Sequence, residues 1–468
     1  MSPFAKKYIG DRTFYKNVLA VAVPIMIQNG ITNFVNLLDN VMIGAISTEA
    51  MSAVSIANQF IFIFNLMIFG AISATGIFTA QYNGLKDDEG VRHTFRFKLI
   101  ATLVCTLVFI AVAMIFDSEL ISMFLHGEDV KGDLELTRAL GIEYLWIMLI
   151  GLIPYAIAQT YASTLRETGE VVIPMYSSFI SVITNFVLNL VLIFGFLGFP
   201  ALGVKGAAIG TVVARLAELI FVAVWTHSHR EKAKFIDGAY RSFKIPAPIV
   251  RKIIVKGMPL MLNELFWSLA ITLRSQCYST RGLDVVAALS ISVTIVNLFN
   301  IVYMSLSSSI AIIVGNKLGA GELDEAKDTS RKMIAFAIFC SVFIGIIISL
   351  LSPLFPMLYK TSDEVRHLAT YLIVVSAAFM PVFAFANACY FTIRSGGKVL
   401  TTIIFDSVFM WAIALPTAFI LSRFTSLDIY LLYPLCQSVE FIKILLGAYL
   451  LKRGDWLKQI VSKTQAVE

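Results

Sequence analysis

The sequence predicts an all-α integral membrane protein with twelve transmembrane helices in two six-helix bundles. Three observations support this prediction: an apolar composition, twelve apolar segments of spanning length, and a repeat that relates the two halves. Hydrophobic residues make up 58% of the 468 residues, charged residues make up 15%, and the mean hydropathy is +0.80. Because soluble domains carry about 25% charged residues, this composition indicates a chain that resides in lipid.

The twelve apolar segments are each long enough to cross a bilayer, which takes about 20 helical residues. The basic stretch before the first segment is polar, and that segment is too long for the apolar core of a signal peptide, so we expect no cleaved leader. The predicted spans cover approximately residues 17–43, 51–80, 97–116, 139–164, 172–196, 203–227, 253–279, 285–315, 333–358, 367–393, 399–421 and 428–451.

Lysine and arginine residues are distributed unevenly between the two sides of these spans. With the N-terminus inside, 27 of the 37 basic residues fall in cytoplasmic segments and seven in outer loops. This bias follows the positive-inside rule. It predicts a multi-pass protein of the cytoplasmic membrane with both termini in the cytoplasm, and it explains the net charge of +6 without nucleic-acid binding.

An internal repeat relates the two halves of the chain. Residues 49–96 align without gaps to residues 284–331 at an offset of 235, with ten identical pairs in 48 positions, among them Gly84 and Gly319. Each half contains an even number of helices, so the copies enter the membrane in the same orientation, which predicts parallel repeats as in many secondary transporters. Two further pairs fit the repeat: Pro24 and Pro259 at the same offset, and an Arg-x-x-Gly motif at Arg166 and Arg394 at an offset of 228.

The repeat and the hydropathy together predict the domain organisation. We expect an N-lobe at residues 1–227 with helices 1–6, a cytoplasmic inter-lobe linker at residues 228–252, and a C-lobe at residues 253–468 with helices 7–12 and a short tail. The linker lies in the longest polar stretch between the halves. Its basic residues are better explained as a topology signal than as a binding site.

Asp39 is the sharpest candidate for function, because a charge at helix depth is costly unless it is paired or faces water. No lysine or arginine lies in predicted helix 1 to neutralise it. Asn185 and Asn189 lie one turn apart on helix 5, and Thr211 on helix 6 offers another oxygen. Together these residues could bind a proton or Na⁺; the alternative is a solvated aspartate at the mouth of the helix.

The second half carries Glu264 and Arg274 in helix 7 and Asp406 in helix 11. Glu264 and Arg274 are too far apart along the helix, about 15 Å, to pair directly. The two carboxylates could share a cavity with Trp267 and bind an organic cation by charge pairing and cation–π contact. The alternative is a structural role in ion pairs or hydrogen bonds.

Two other features have both a functional and a structural interpretation. Pro24 and Pro259 lie at equivalent places in helices 1 and 7, where a proline frees a backbone carbonyl and permits bending. They are candidates for gating residues or for static kinks. Intrahelical pairs that neutralise each other are expected at i, i+3 spacing for Arg215 with Glu218 and for Glu440 with Lys443.

The motifs of soluble and membrane enzymes are missing from the sequence. It contains no Walker A loop, no Ser-His-Asp arrangement and no HExxH motif, and its five cysteines show no CxxC spacing. We therefore expect a protein that is not an enzyme and has no cofactor. We also expect no metal beyond a possible Na⁺ at Asp39, and an ion gradient as the energy source.

Several segments in this order resemble the multidrug and toxic compound extrusion (MATE) family, and the resemblance covers nearly the whole chain. The segments are Asp39-Asn-Val-Met-Ile-Gly-Ala, Ala53-Val-Ser-Ile-Ala57, its echo Ala287-Ala-Leu-Ser-Ile291, Gly315-Asn-Lys-Leu-Gly-Ala-Gly321 and Arg394-Ser-Gly-Gly397. The resemblance implies a V-shaped, two-lobed transporter that alternates between outward-open and inward-open states. It implies export of small amphipathic cations across the cytoplasmic membrane in exchange for H⁺ or Na⁺, by a chain that we expect to be monomeric.

The resemblance also implies roles for single residues. Asp39 matches the helix 1 acid that couples transport to a cation, Asn185 matches an amide of that site, and Thr211 matches its hydroxyl. Asn189 is neutral where some branches carry a second acid. The acids that another branch carries near Trp267 and Phe383 are replaced here, and Glu264 and Asp406 stand in for them.

A second transporter class remains open, namely flippases of lipid-linked oligosaccharides or other lipids in the same superfamily. Those proteins tend to line their cavity with arginine and lysine to bind a pyrophosphate. The ionisable residues placed inside the predicted helices lean acidic, which favours the export of cations: Asp39, Glu218, Glu264, Asp406 and Glu440 against Arg215, Arg274 and Lys443.

Overall fold

A computed structural model describes residues 7–122, 134–359 and 361–463. Within these ranges, eight side chains lie outside the description: Asn36, Leu37, Asn40, Val41, Thr48, Leu120, Leu197 and Leu283. All regular structure in the described ranges is helical, and twelve helices there are long and apolar enough to cross a membrane. The prediction of an all-α membrane protein with twelve spans is confirmed.

The twelve long helices are labelled α1 to α12. Those of the first half are α1 Arg12–Gly44, α2 Thr48–Gly84, α3 Asp88–Ile115, α4 Leu134–Glu167, α5 Val172–Phe194 and α6 Val204–Ser228. Those of the second half are α7 Ala247–Ser279, α8 Leu283–Gly319, α9 Leu323–Leu351, α10 Asp363–Ser395, α11 Val399–Phe424 and α12 Ile429–Arg453.

Most helices extend beyond the apolar segments that predicted them, because hydropathy does not register polar caps. Helix α3 begins at Asp88 rather than near residue 97, since the carboxylate of Asp87 accepts a hydrogen bond from the amide of Gly90 at 2.9 Å. The hydroxyl of Ser362 likewise caps α10 by accepting from the amide of Val365. Such caps are each worth about 1 kcal/mol. Helix α7 begins at Ala247, inside the stretch predicted as linker.

One compact unit contains residues 27–79 and 87–257. Its core lies between α2, α3 and α4, where Phe64, Leu145 and Leu152 are fully buried. Burying one such side chain stabilises the fold by about 1.5–3 kcal/mol. Helices α5 and α6 form an antiparallel hairpin beside α4, and this hairpin positions the candidate residues of the first half.

The polar stretch after α6 is folded onto the first unit. The guanidinium of Arg96 in α3 donates to the carbonyl oxygens of Gly238 at 2.7 Å and Ala239 at 2.8 Å. Phe95 packs against Phe235 with ring centroids 5.2 Å apart, and Phe235 is buried. Because its backbone is bonded and its apolar side chains are buried, this part of the chain is an ordered element of the first unit.

The other compact unit contains residues 7–26, 80–86 and 258–463. Its core is formed by α8, α9 and α10, together with Val18 and Ala22 of α1 and the buried Trp456 that follows α12. Helices α1, α2 and α7 each contribute residues to both units.

Helix α11 is wound differently from the other long helices. It contains two π-helical segments, Ile404–Val408 and Met410–Ala414, between ordinary α-helical ends. Helix α12 is interrupted at Val439, between its α-helical parts. Short π segments inside α-helices occur frequently at functional sites, and here the first segment contains Asp406.

Candidate cation and substrate sites

The four predicted residues of the first half lie together in one hydrogen-bonded chain. The amide nitrogen Nδ2 of Asn189 donates to Asp39 Oδ1 at 2.6 Å and to Asn185 Oδ1 at 3.2 Å. Asn185 Nδ2 donates in turn to Thr211 Oγ1 at 3.1 Å. This series of hydrogen bonds therefore joins α1, α5 and α6. Its members are neutral amide and hydroxyl groups, and it ends at the carboxylate of Asp39.

The tight hairpin of α5 and α6 explains why these groups meet. Asn185 and Asn189 share a face because they lie one turn apart. Helix α5 ends at Phe194 and is capped by Gly195, whose φ of 75° is left-handed. The chain then returns so closely that the amide of Leu202 donates to the carbonyl of Leu192 at 2.8 Å. Gly206 lies directly against the same carbonyl. This close approach places Thr211 beside Asn185.

Asn189 has one amide atom without a partner. The side chain is fully buried, yet its Oδ1 accepts no hydrogen bond within the described part of the chain. This oxygen faces Gly210, where an added Cβ would lie only 2.5 Å from it. A buried acceptor without a partner costs about 1–3 kcal/mol of folding stability. The site thus contains an unsatisfied oxygen on the residue that bonds the carboxylate of Asp39.

Asp39 has no basic partner in the described residues, since none of the ion pairs found there involves it. The side chains of Asn36 and Asn40, which flank it in the sequence, lie outside the description. Tyr144 of α4 is buried and directs its hydroxyl towards Asn58 Oδ1 at 3.5 Å. Among the described residues, the group that donates a hydrogen bond to the carboxylate is the uncharged amide of Asn189.

A second buried network in the first half was not predicted. Arg166 Nη1 donates to Gln28 Oε1 at 2.9 Å, and Gln28 Nε2 donates to Ser178 Oγ at 2.8 Å. The only sequence signal for this network was the Arg-x-x-Gly repeat, because glutamine and serine are too common to single out.

The predicted pair of Arg215 with Glu218 is not a bonded ion pair in the described structure. The Arg215 guanidinium lies over the ring of Tyr155 at 5.0 Å, and Glu218 accepts from Gln159 Nε2 at 3.5 Å. The interpretation as a direct intrahelical pair was therefore wrong, because partners on α4 compete for both side chains.

In the second half, Glu264 is held by two groups from α10. Arg394 Nη1 and the hydroxyl of Tyr390 each donate to Glu264 Oε1 at 2.7 Å, and Arg394 Nη1 also donates to the Tyr390 hydroxyl at 2.8 Å. Arg394 is buried, with 2% of its side chain exposed. Glu264 is therefore neutralised by a desolvated cation.

Asp406 is paired with Lys443 of α12. Lys443 Nζ donates to Asp406 Oδ1 at 3.1 Å, and Asn263 Nδ2 donates to Asp406 Oδ2 at 3.0 Å. Ser407 fixes the orientation of Asn263, because its hydroxyl donates to Asn263 Oδ1 at 2.6 Å. Asn263 Nδ2 also lies 3.4 Å from the hydroxyl of Tyr390. The structure thus brings Glu264 and Asp406 into one network.

Trp267 and the two prolines lie apart from these bonds. Trp267 packs against an apolar cluster of α7 and α11 that includes Ala270, Phe409 and Met410. Pro24 and Pro259 lie inside α1 and α7, and neither proline ends its helix.

The expected pair of Glu440 with Lys443 is also wrong. Lys443 is bonded to Asp406, while Glu440 Oε1 lies 3.5 Å from Arg274 Nη1 of α7. Spacing along α12 predicted one local pair, but the helix uses its two charges for two different neighbours. Desolvation favours this outcome, because each buried charge needs its own partner.

The two halves repeat one hydrogen bond with different chemistry. Gln28 and Asn263 are equivalent at the offset of 235, and Ser178 and Asp406 are equivalent at the offset of 228. In both halves the amide donates to the second residue of the pair. The second half thus places a carboxylate where the first half has a hydroxyl.

The repeated arginine motif also makes equivalent bonds in the two halves. Arg166 and Arg394 both bond a side chain of the first helix of their half, Gln28 and Glu264 respectively. The position equivalent to Asp39 is Arg274. The halves therefore share a framework of buried polar bonds but not the charges placed on it.

Comparison with known proteins identifies the relatives of this architecture. The family model MatE matches the chain twice, over residues 24–191 and 259–420. The two matches begin at Pro24 and Pro259, which are separated by the repeat offset of 235. The duplication that was read from sequence identities thus corresponds to two copies of one family unit.

Curated relatives resemble the chain over nearly its whole length. A probable multidrug resistance protein, YoeA of Bacillus subtilis, is 23% identical over 92% of this chain and 92% of its own length. A probable multidrug resistance protein NorM of Halalkalibacterium halodurans is 26% identical over 89% of both chains.

Solved structures share the fold at low sequence identity. A crystal structure of MATE in complex with MaD3S superposes with a TM-score of 0.82 at 19% identity and covers 97% of this chain and 99% of its own. An outward-facing structure of a multidrug resistance MATE family transporter of the MOP superfamily also reaches 0.82, at 18% identity. At this identity the likeness establishes the fold alone.

Proposed function

Because the chain belongs to the MATE family of membrane transporters, we propose that it exports amphipathic organic cations in exchange for H⁺ or Na⁺ bound at Asp39. It is a multi-pass membrane protein and not an enzyme. The relatives named above as probable multidrug resistance proteins support drugs as cargo. Export would proceed across the cytoplasmic membrane by alternating access.

The observation that carries this proposal is the chemistry around Asp39. The carboxylate is bonded by an amide and has no basic partner in the described residues. An acid in this setting exchanges its neutralising cation with the solution, whereas an acid bonded to lysine or arginine is already neutralised.

The side chain of Asn189 can stabilise Asp39 both without a bound cation and with one. With its NH₂ group towards Asp39, the amide stabilises the ion-free carboxylate. A half-turn of the amide would direct the unpartnered Oδ1 towards Asp39 and Asn185 instead. It would then accept a bond from a protonated Asp39 or join the oxygens that coordinate Na⁺.

The proposed cycle follows from these two states. Cation uptake at Asp39 turns the Asn189 amide and favours release of cargo, and loss of the cation resets the site. Asn185 and Thr211 complete the site, and Pro24 and Pro259 are proposed to supply the bending of α1 and α7. Glu264 and Asp406 are paired with Arg394 and Lys443, and Trp267 packs in a separate apolar cluster, so we propose that these three residues stabilise the second half rather than bind the cargo.

The test is efflux of a fluorescent organic cation from proteoliposomes under separate proton and sodium gradients. The wild type should export the dye under at least one of the two gradients, and that gradient names the coupling ion. Asp39→Asn should abolish gradient-driven efflux while insertion and thermal stability are kept.

Glu143→Gln serves as the matched control, because it removes a carboxylate of the same unit that is partly exposed and paired with Lys205. This variant should transport normally. Undiminished efflux by Asp39→Asn would overturn the role of Asp39. Transport of a lipid-linked oligosaccharide without any dye efflux would overturn the proposed cargo class.

A further inference from the structure

Every acid inside the helices of the second half that the sequence singled out carries its own internal cation. These three pairs lie within residues 258–463 of the described chain, and each joins two different helices. The pairs are Glu264 with Arg394 at 2.7 Å, Asp406 with Lys443 at 3.1 Å, and Glu440 with Arg274 at 3.5 Å.

Lys443 has the most distinctive surroundings of the three cations. Its ammonium nitrogen contacts Asp406 Oδ1 and lies over two aromatic faces, at 5.3 Å from the ring centre of Phe405 and 5.4 Å from that of Phe409. The side chain is 7% exposed. A carboxylate beside aromatic faces is the arrangement by which proteins recognise alkylammonium ions.

We refer to Phe405, Asp406 and Phe409 as the aromatic box. The π-helical geometry of α11 brings these three residues together. Phe405 and Asp406 lie in the first π-helical segment, and Phe409 lies between the two segments. In a π-helix, where hydrogen bonds run from i to i+5, residues four or five apart lie near one another on one face. Asn263, whose orientation is fixed by Ser407, donates to the other oxygen of the carboxylate, so the position of Asp406 does not depend on Lys443 alone.

The box also differs from the site of the first half. Asp39 is bonded by a neutral amide, whereas Asp406 is bonded by an ammonium group of the same chain. Glu218 is the second residue of the i, i+3 charge pair on α6, as Lys443 is of the pair on α12, and it is an acid. The second half thus has a base at this place in its last helix, where the first half has an acid.

We infer that Phe405, Asp406 and Phe409 form an alkylammonium-binding site in the second half that Lys443 fills as a tethered ligand. The second half then has no exchangeable cation of its own, and each transport cycle is coupled to the cation at Asp39 alone. This last step rests on the proposed function, whereas the binding site itself does not.

The first experiment removes the tethered ligand and supplies a free one. Purified Lys443→Ala should unfold at a lower temperature than the wild type, because Asp406 is left buried and unpaired. Butylammonium chloride should restore several degrees of this loss, NaCl at equal ionic strength should not, and the wild type should respond to neither. Equal stabilisation by Na⁺, or no response to the amine, overturns the alkylammonium site.

Lys98→Ala is the matched control for the loss of a buried lysine. Lys98 contacts oxygen atoms of Glu167, Ser163 and Thr164 rather than aromatic rings. Oxygen groups suit Na⁺ as well as ammonium, so this variant should respond to both salts alike. Amine selectivity as large in Lys98→Ala as in Lys443→Ala would contradict the contribution of the aromatic rings.

A double variant covers the case in which Lys443→Ala does not fold. Asp406→Asn with Lys443→Met removes both charges, should fold, and should show no response to butylammonium. Stabilisation of the double variant by the amine would show that Asp406 is not part of the site.

The second experiment measures the number of cations per cargo molecule from the reversal potential of dye transport. Wild type should move a fixed number of cations for each cargo molecule, and Lys443→Ala supplied with alkylammonium should move a larger number or lose coupling. An unchanged ratio in an active Lys443→Ala overturns the coupling step. If Asp39→Asn still transports while amine rescue succeeds, the proposed function fails and the alkylammonium site stands.

Discussion

Gly84 and Gly319 form a reciprocal crossing in which each glycine lies against the main chain of the other glycine's helix. A Cβ atom on Gly84 would lie 1.8 Å from the carbonyl oxygen of Asn316, and one on Gly319 would lie 1.9 Å from that of Gln81. Asn316 and Gln81 are themselves equivalent at the offset of 235. The ends of α2 and α8 therefore meet symmetrically, which explains why the repeat retains both glycines.

Replacing either glycine should weaken the fold. Gly84→Ala and Gly319→Ala each place a methyl group within the radius of a backbone oxygen, which cannot move aside as a flexible side chain can. We expect a loss of at least the 1–3 kcal/mol typical of overpacking, measured as a lower temperature of thermal unfolding in detergent.

Gly30→Ala is the control for these variants, because among the described residues no atom outside the adjacent turns of α1 lies within 4 Å of the place that an added Cβ would occupy. Alanine is favoured over glycine inside a helix by roughly 0.5–1 kcal/mol, so this variant should be at least as stable as the wild type. Normal stability of both crossing variants would contradict the tight approach of α2 and α8.

The fold was predictable because its signals are local or repeated. Apolar runs predicted twelve spans, and the repeat predicted two equivalent sets of six. The ends of α3 and α7 were missed, because capping and the continuation of a helix into polar sequence depend on single hydrogen bonds such as that of Asp87. Hydropathy averages over windows and does not register such bonds.

The candidate sites were only partly predictable, for a related reason. Asp39, Asn185, Asn189 and Thr211 could be grouped because each is unusual in an apolar helix. The partners of Glu264, Asp406 and Lys443 could not be assigned, since which helices pack together determines which charges meet. Spacing along α12 suggested a local pair, but tertiary packing joined Lys443 to Asp406 and Glu440 to Arg274.

Gly210→Ala should impair transport without unfolding the protein. The added methyl group would lie 2.5 Å from Asn189 Oδ1 and would force that amide to shift away from its position beside Asp39. We expect a fall in cation-driven dye efflux and an altered dependence on the coupling ion, measured in proteoliposomes.

A double-mutant cycle identifies the cause of this effect. If Gly210 acts only by leaving room for the Asn189 amide, then Gly210→Ala should add little to the defect of Asn189→Ala, since the two changes share one target. Fully additive losses of efflux would mean that the methyl group disturbs something other than Asn189.

The pair of Glu264 and Arg394 should show the energetics of a buried ion pair. Arg394→Met leaves a carboxylate near α10 without its cation, and Glu264→Gln leaves a guanidinium that is only 2% exposed without its anion. Breaking one partner of a buried pair costs about 3–5 kcal/mol, so both single variants should unfold at clearly lower temperatures.

The double variant Glu264→Gln with Arg394→Met should recover much of this stability, because no buried charge is left unpaired. Tyr390 can still donate its hydroxyl to the new amide oxygen at position 264. If the double variant is less stable than either single variant, the pair contributes more through its hydrogen bonds than it costs in desolvation.

The segment that follows α12 should be needed for the stability of residues 80–86. Gln81 Nε2 donates to the carbonyl oxygens of Ser395 at 2.9 Å and Lys458 at 3.1 Å, and Gln81 Oε1 accepts from the amide of Ile460 at 2.7 Å. A single side chain at the end of α2 thus bonds both α10 and the C-terminal segment, beside the buried Trp456.

Deleting residues 456–468 should therefore lower the unfolding temperature and increase hydrogen exchange at the end of α2, because the bonds of Gln81 to Lys458 and Ile460 and the buried indole of Trp456 are lost together. Gln81→Ala should reproduce the exchange effect with a smaller loss of stability, since it keeps Trp456 in place. Deletion of residues 464–468 alone retains every one of these bonds and should leave both measurements unchanged. The hydrogen-exchange rate of residues 80–86 could instead stay at the wild-type value after the longer deletion. That result would show that the contact of Gly84 with α8 is sufficient to keep the end of α2 ordered.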